Sequence, residues 1–384
     1  MSYLARMTEI DMQSANESDR RYVFVCGMPR SGTSILGRNI ARMENCTGLQ
    51  NTGVLEDEGG FLQDVYPTEH VCGGPGRFGF DRRSHLTEQS VLLTPANVAK
   101  LHATWHRYWN NSKKIFVEKT PANLLMTRFL QAAFPNSYFV VTKRHPIAAS
   151  IAAQKWKVNV TSLDNMFEHW LHCHALFDQD KRYLNHVYEL KYEDYVKDPD
   201  KYHQEIAAFI GTRVPTAPTS DTFRYVPQWR NPVGLRVPEI ALESVTDTYS
   251  HNYLERWSRL LIRSPFRGYY RYLVKKYGPP FAGHGYSLIE GLDASQQERL
   301  RRVKIHEGVG EFYCMVADTL ALMARIGARL IGGVKKGLRT YLPESVKAWI
   351  KRARRRVIPE MTTASLSRDH RSKGGSRALA KADR

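Results

Sequence analysis

The chain is poor in cysteine for its size. Five cysteines stand in 384 residues (Cys26, Cys46, Cys72, Cys173 and Cys314), an odd, scattered set with no C-x-x-C pair. That spacing excludes a disulfide framework and a zinc ribbon, and it fits a reducing compartment. Long apolar runs are missing too. Residues 1–20 are polar and carry Glu9, Asp11, Glu17 and Asp19, which is unlike a signal peptide. The most apolar stretch, 312–334, is interrupted by Asp318, Arg325 and Arg329, too many charges for a spanning helix. A cytoplasmic protein is therefore expected. With 42% hydrophobic and 24% charged residues, neither wholesale disorder nor a fibrous rod fits. The length suits two to three domains, or one large α/β domain with an extension.

Acidic residues are scarce: 38 Asp and Glu against 56 Lys and Arg, a net +18. The excess is concentrated at the end. Residues 335–384 hold fifteen basic residues against four acids, a net +11 that leaves only +7 for residues 1–334. A mildly cationic body suits a polyanionic ligand. In the tail, Val346, Trp349 and Ile350 alternate with Lys347, Lys351 and Arg354. That pattern fits an interfacial helix better than a base-reading one, so peripheral contact with an anionic membrane is expected and nucleic-acid binding is not.

Three short apolar segments, 22–26, 114–117 and 137–142, each lead through a proline-bearing turn into a helical pattern, at 33–43, 122–133 and 147–156. A fourth strand is expected at 187–190. Near-continuous apolar strands alternating with helices predict a parallel sheet covered on both faces. The fold class is thus α/β, a P-loop-like three-layer fold with a central parallel sheet flanked by helices and a C-terminal helical extension. Residues 45–113 read as a long insertion with a rigid Gly-rich loop at 72–79, and the proline-rich 212–250 as a surface excursion. Helical patterns follow at 251–276, 293–331 and 344–356. The expected organisation is a polar arm (1–19), a main domain (20–290), a helical extension (291–360) and a basic, disordered tail (361–384).

The most informative segment is Gly27-Met28-Pro29-Arg30-Ser31-Gly32-Thr33-Ser34. Strand, G-x-x-x-x-G and helix follow in the order of a phosphate loop, but Thr33 stands where a nucleoside-triphosphate loop needs lysine. Backbone N–H groups at a helix N-terminus still cradle an anion, with hydroxyls from Ser31, Thr33 and Ser34 and charge from Arg30. The strands at 114–117 and 137–142 end without the aspartate that would hold Mg²⁺. A metal-free donor ending in a phosphosulfate therefore fits better than ATP with Mg²⁺. Arg144, directly after the third strand, stands at the same sheet edge and could grip a second phosphate.

Pro29-Arg30-Ser31-Gly32-Thr33-Ser34 resembles the 5′-phosphosulfate loop of sulfotransferases that use 3′-phosphoadenylyl sulfate. The resemblance continues through Glu58-Gly59-Gly60-Phe61-Leu62-Gln63, Glu118-Lys119-Thr120-Pro121, Lys143-Arg144-His145-Pro146 and Lys191-Tyr192-Glu193-Asp194. It covers about residues 20–215 and is nearest to the bacterial and Golgi-type members. It implies a sulfotransferase fold, 3′-phosphoadenylyl sulfate as co-substrate, adenosine 3′,5′-bisphosphate as product, and no metal. It makes Arg144 the 3′-phosphate arginine and puts Tyr192 near the adenine ring, although the bare residue reads equally as a core tyrosine. The family's serine eight residues after the arginine is replaced here by Ala152. Either Ser150 reaches the 3′-phosphate in a shifted register, or the contact is made elsewhere.

Sulfuryl transfer needs a base for the acceptor. Pro121 stands where cytosolic members carry a histidine, so the role moves to the acidic run Glu56-Asp57-Glu58, where glycosaminoglycan-type members carry a glutamate. Glu58 is the first choice and Glu56 the reserve, with repulsion among the three acids expected to raise one pKa. Lys119 is placed to stabilise charge on the bridging oxygen, with Glu118 orienting it or capping. Glu193 and Asp194 read as structural. His169, His172, Cys173 and His174 look metal-like but are expected on different faces of one helix. Trp105, Tyr108 and Trp109 read as core or as wall of an acceptor pocket. The acceptor is expected to offer a hydroxyl, or an amine, on a small metabolite, sugar or glycolipid. The alternatives are a P-loop kinase or NTPase, or a membrane-surface binding protein using the tail.

Overall fold

The structure, a computed structural model, describes residues 19–154, 161–215, 250–302 and 305–341. The N-terminal arm, most of the proline-rich excursion, the 344–356 pattern and the tail lie outside those residues. The described residues divide into two compact units that part between Leu322 and Met323.

Strand β1 (Arg21–Gly27) is the centre of a five-stranded parallel sheet with β2 (Cys46–Gly48), β3 (Ile115–Lys119), β4 (Ser137–Lys143) and β5 (Val187–Lys191), in the order β2-β3-β1-β4-β5. Its alternation explains why it sits there. Val23 and Val25 face one core with Leu36, Ile40, Val140 and Ile206. Phe24 and Cys26 face the other with Trp105, Phe134, Phe139 and Trp170. A strand apolar on both faces is satisfied only between two helical layers. Helices α1 (Thr33–Ala41) and, later, α7 (Pro199–Ile210) cover the first face; α2 (Pro95–His106), α3 (Thr127–Ala133), α4 (Pro146–Gln154) and α5 (Leu163–Asp180) lie between them in sequence. The short α6 (Tyr192–Lys197) follows β5.

The register pairs Val25 with Lys119 and Val140, and Thr142 with both Gly27 and Leu190. The carboxyl ends of β1, β3 and β4 are therefore level. The chain leaves β1 toward the β2 side and β4 toward the β5 side, so these ends form a crevice at a topological switch point, where α/β sheets bind ligands.

Several sequence expectations are corrected. The 45–113 segment holds an edge strand, Cys46–Gly48, and the helix Pro95–His106, whose Thr94 side chain accepts from the Asn97 N–H at 3.2 Å. A three-residue strand is too short to show periodicity, and this helix has its two buried residues, Leu101 and Trp105, on a single seam. The 122–133 helix opens with a tight 3₁₀ turn, Pro121–Leu125. The 251–276 pattern is two helices, α8 (Ser250–Arg263) and α9 (Arg267–Gly283), because Pro265 between them has no N–H to continue the ladder. The 293–331 pattern is likewise α10 (Ala294–Arg302) and α11 (Glu307–Tyr341).

Candidate active site

The loop after β1 turns through two residues in the left-handed region, Arg30 (φ 70°) and Gly32 (φ 90°). Gly32 is the N-cap of α1, with no side-chain cap bond and no acid in the first turn. The first helical N–H groups therefore open on the loop and suit an anion. Gly32 is required sterically: a Cβ there would lie 2.2 Å from the Tyr192 ring. Ser31 is fully buried and its Oγ has no hydrogen-bond partner, while its carbonyl accepts from Thr142 Oγ1 at 3.0 Å. A buried hydroxyl left open inside an amide-lined turn fits a ligand oxyanion. Thr33 is buried and Ser34 half-buried beside it, and Arg30 is exposed at the loop tip.

Arg144 is buried at 6% exposure, against the alternative of a surface arginine. Its Nη1 donates to the Arg30 carbonyl at 2.8 Å, and its guanidinium carbon lies 4.4 Å from the Tyr192 ring centroid and 5.9 Å from that of Tyr253. Burial pulls its pKa down. Tyr192 thus touches both Gly32 and Arg144, linking β5 to the site. Arg144 is held from behind. The His145 N–H donates to Glu193 Oε1 at 2.8 Å, and the Trp170 indole donates to the Arg144 carbonyl at 3.2 Å. His145 is buried and its pKa falls to about 4, chiefly by desolvation. Ser150 is buried in the second turn of α4.

Lys119 and Glu58 form an ion pair, Nζ to Oε1 2.7 Å, with side-chain exposures of 11% and 9%. Burial raises the Glu58 pKa against the opposing pull of Lys119, and Glu56 adds a smaller upward push. Desolvation, more than repulsion within the acidic run, is thus the cause. Glu56 is half-buried in a left-handed conformation, φ 54°. Lys119 reaches Glu58 across α1, where a Cβ on Gly37 would stand 2.9 Å from Lys119 Cβ.

Glu118, fully buried on the opposite strand face, does not orient Lys119. It accepts from the Gly59 N–H at 2.8 Å, from Thr120 Oγ1 at 2.5 Å and from Asn123 Nδ2. The Trp105 indole donates to the Gly59 carbonyl at 3.0 Å and that of Trp109 to the Val117 carbonyl at 3.0 Å. These contacts fix the loop carrying Glu58 and make both tryptophans core residues. Burial lifts the Glu118 pKa to about 7.

One carboxylate of the site was missed in the sequence. Glu69, in the long segment between β2 and α2, is coupled electrostatically to Glu58 and Lys119, and its buried Oε2 has no hydrogen-bond partner. Burial and then Glu58 raise its pKa to about 8. Its backbone anchors the Gly-rich loop, the Gly74 N–H donating to the Glu69 carbonyl at 2.8 Å. The only sequence signal was an acid beside an apolar, glycine-rich stretch. The histidine cluster is corrected as well: His169 Nε2 and Cys173 Sγ share a face, 3.4 Å apart. His169 accepts from the Gly79 N–H at 2.9 Å and so locks the end of the same loop. Among the described residues no group of three or more His, Cys, Asp and Glu is placed to hold a metal ion.

Residues 22–216 match the Sulfotransferase family. The chain is similar to a sulfotransferase of Mycobacterium tuberculosis H37Rv (17% identity over 53% of this chain and 72% of that one, TM-score 0.34). It is also similar to one of Alicyclobacillus acidocaldarius (17%, 54% and 87%, TM-score 0.34). A third similarity is to the sulfotransferase domain of the Synechococcus PCC 7002 olefin synthase (14%, 79% and 94%, TM-score 0.32). No curated protein matches the chain significantly. The matched span covers half the chain and contains the loop, Arg144 and the Glu58–Lys119 pair; the chain belongs to the Sulfotransferase family.

Proposed function

We propose that the protein moves a sulfuryl group from 3′-phosphoadenylyl sulfate to a hydroxyl of a metabolite, sugar or glycolipid. The observation that carries this reading is the buried Glu58–Lys119 pair at the sheet edge that also holds the Ser31 turn and Arg144. When bound, the donor supplies a sulfuryl group activated by an anhydride oxygen. Ser31, Thr33, Ser34 and the N–H groups opening α1 hold its 5′-phosphosulfate, with Arg30 adding charge. Arg144 forks onto the 3′-phosphate, and Tyr192 lies along the nucleoside. Ser150 is a candidate second donor to that phosphate.

Glu58 takes the acceptor's hydroxyl proton as the acceptor oxygen bonds to sulfur and the bond from sulfur to the bridging oxygen breaks. Protonating Glu58 dissolves its ion pair. Lys119 is then released to face the bridging oxygen as negative charge builds there. Glu56 is the reserve base. Against a kinase, Thr33 replaces the lysine and the carboxylate ending β3, Glu118, is consumed by Gly59, Thr120 and Asn123.

Calorimetry tests the donor site: adenosine 3′,5′-bisphosphate is expected to bind at least about tenfold more tightly than 5′-AMP, and Arg144→Ala to remove that margin. An equal affinity for both ligands in the unmodified protein would defeat the reading. Glu58→Gln is expected to lower turnover by about 10²-fold or more while bisphosphate affinity holds. Full activity in that variant would move the base to Glu56.

A further inference from the structure

Helix α11 has two unlike sides over its first four turns. The inner side is small and packed: Gly310, Cys314 and Ala321 are buried. It also carries the charges: Glu311 accepts from the Tyr272 hydroxyl, and Asp318 accepts from Asn165 Nδ2 at 2.7 Å and from Ser162. The outer side is open, and apolar but for Thr319, whose hydroxyl is turned onto the Met315 carbonyl at 2.8 Å. Val309, Phe312, Met315, Val316, Leu320 and Leu322 are 38–60% exposed. Every charged residue between Gly308 and Leu322 is on the inner side, so an uncharged arc covers roughly half the circumference. Scattered exposed apolar side chains are ordinary, but a contiguous stripe of this length marks a contact surface.

Charge identifies what the stripe meets. The same spacing continues in the sequence at Leu330, Ile331, Val334 and Leu338, now interleaved with Lys335, Lys336 and Arg339, and residues 335–384 carry a net +11. A second copy would bring two such segments together against their repulsion. An anionic lipid surface attracts them. Among the described residues no helix is long and apolar enough to cross a membrane, so the geometry suits a helix lying in the headgroup boundary. We infer that the outer face of α11 docks the protein on an anionic lipid surface. Docking there is independent of the donor chemistry and would give the enzyme access to acceptors carried by lipid.

The test is sedimentation of the full-length protein with vesicles of phosphatidylcholine containing phosphatidylserine, against phosphatidylcholine alone. The protein is expected to pellet with the first and not the second. Phe312→Asp with Leu320→Asp should lower the bound fraction at least about tenfold, with circular dichroism and melting unchanged. The milder Phe312→Ser with Leu320→Ser pair serves if the charged pair misfolds, and should lower binding in the same direction. Binding unaltered in a folded variant, or no preference for phosphatidylserine, would overturn the inference. So would analytical ultracentrifugation that finds a dimer which the same substitutions dissociate.

Discussion

A base that removes a hydroxyl proton must be ionised in surroundings that penalise its charge, and in the role proposed for Glu58 it is Lys119 at 2.7 Å that reconciles the two. Glu69 adds a condition. The groups that act on it are Glu58 and Lys119, and those two are in turn coupled to Glu56 and Glu118. With its pKa lifted to about 8, Glu69 is neutral at pH 7 and ionises as pH rises through that value. A further negative charge then competes for Lys119 in a pocket proposed to hold an anionic donor. We expect kcat/KM to rise through the elevated pKa of Glu58 and to fall above about pH 8, and Glu69→Gln to remove the fall. An alkaline limb identical in that variant would assign it to another group. Because the carboxylates interact, both limbs belong to the cluster rather than to single residues.

At the scale of elements, α1 does two jobs through two glycines. Gly32 lets the Tyr192 ring close on the loop, and Gly37 lets the stem of Lys119 cross the helix. Gly32→Ala meets both a left-handed backbone and a ring at 2.2 Å, so it is expected to cost about 1–3 kcal/mol in chemical denaturation and to weaken bisphosphate binding. Gly37→Ala presses on Lys119 Cβ at 2.9 Å. It should lower kcat several-fold with donor affinity nearly unchanged, since it disturbs the lysine and leaves the phosphate turn alone. Steady-state kinetics beside calorimetry separates the two. In the sequence, Gly32 was legible because the phosphate-loop spacing demands it. Gly37 was not, because the atom it makes room for lies 82 positions away and no local rule connects them.

At the scale of the whole molecule, Asp318 in the fourth turn of α11 is tied to Ser162 and Asn165 at the start of α5, and Ser162 also caps α5 through the Asn165 N–H at 3.1 Å. Asp318→Ala should speed amide hydrogen exchange in residues 307–322 by about fivefold, matching about 1 kcal/mol of lost anchoring. Exchange at its original rate would mean that apolar packing and the Tyr272–Glu311 bond hold this segment without Asp318. Protection within β1 and β4 should not change, as neither strand depends on the contact.

What could be read in advance follows short-range physics. The strands Arg21–Gly27 and Ser137–Lys143 were visible because burial on both faces demands unbroken apolar runs. Arg30, Arg144 and Lys119 were visible because each stands at or within three residues of the end of a strand, and those strand ends share one edge. Even the acidic run was found, though the reason Glu58 stands out is burial beside Lys119, not the neighbouring charges. The tertiary structure alone decided the rest. It spent Glu118 on the Gly59 turn, made Trp105 a brace for that turn, set His169 against Gly79 and brought Glu69 toward Glu58. The physical reason is separation along the chain: a sequence determines periodicity, capping and turn chemistry within a few residues. Which distant side chains share a desolvated pocket depends on how the long 45–113 segment folds back over the sheet edge.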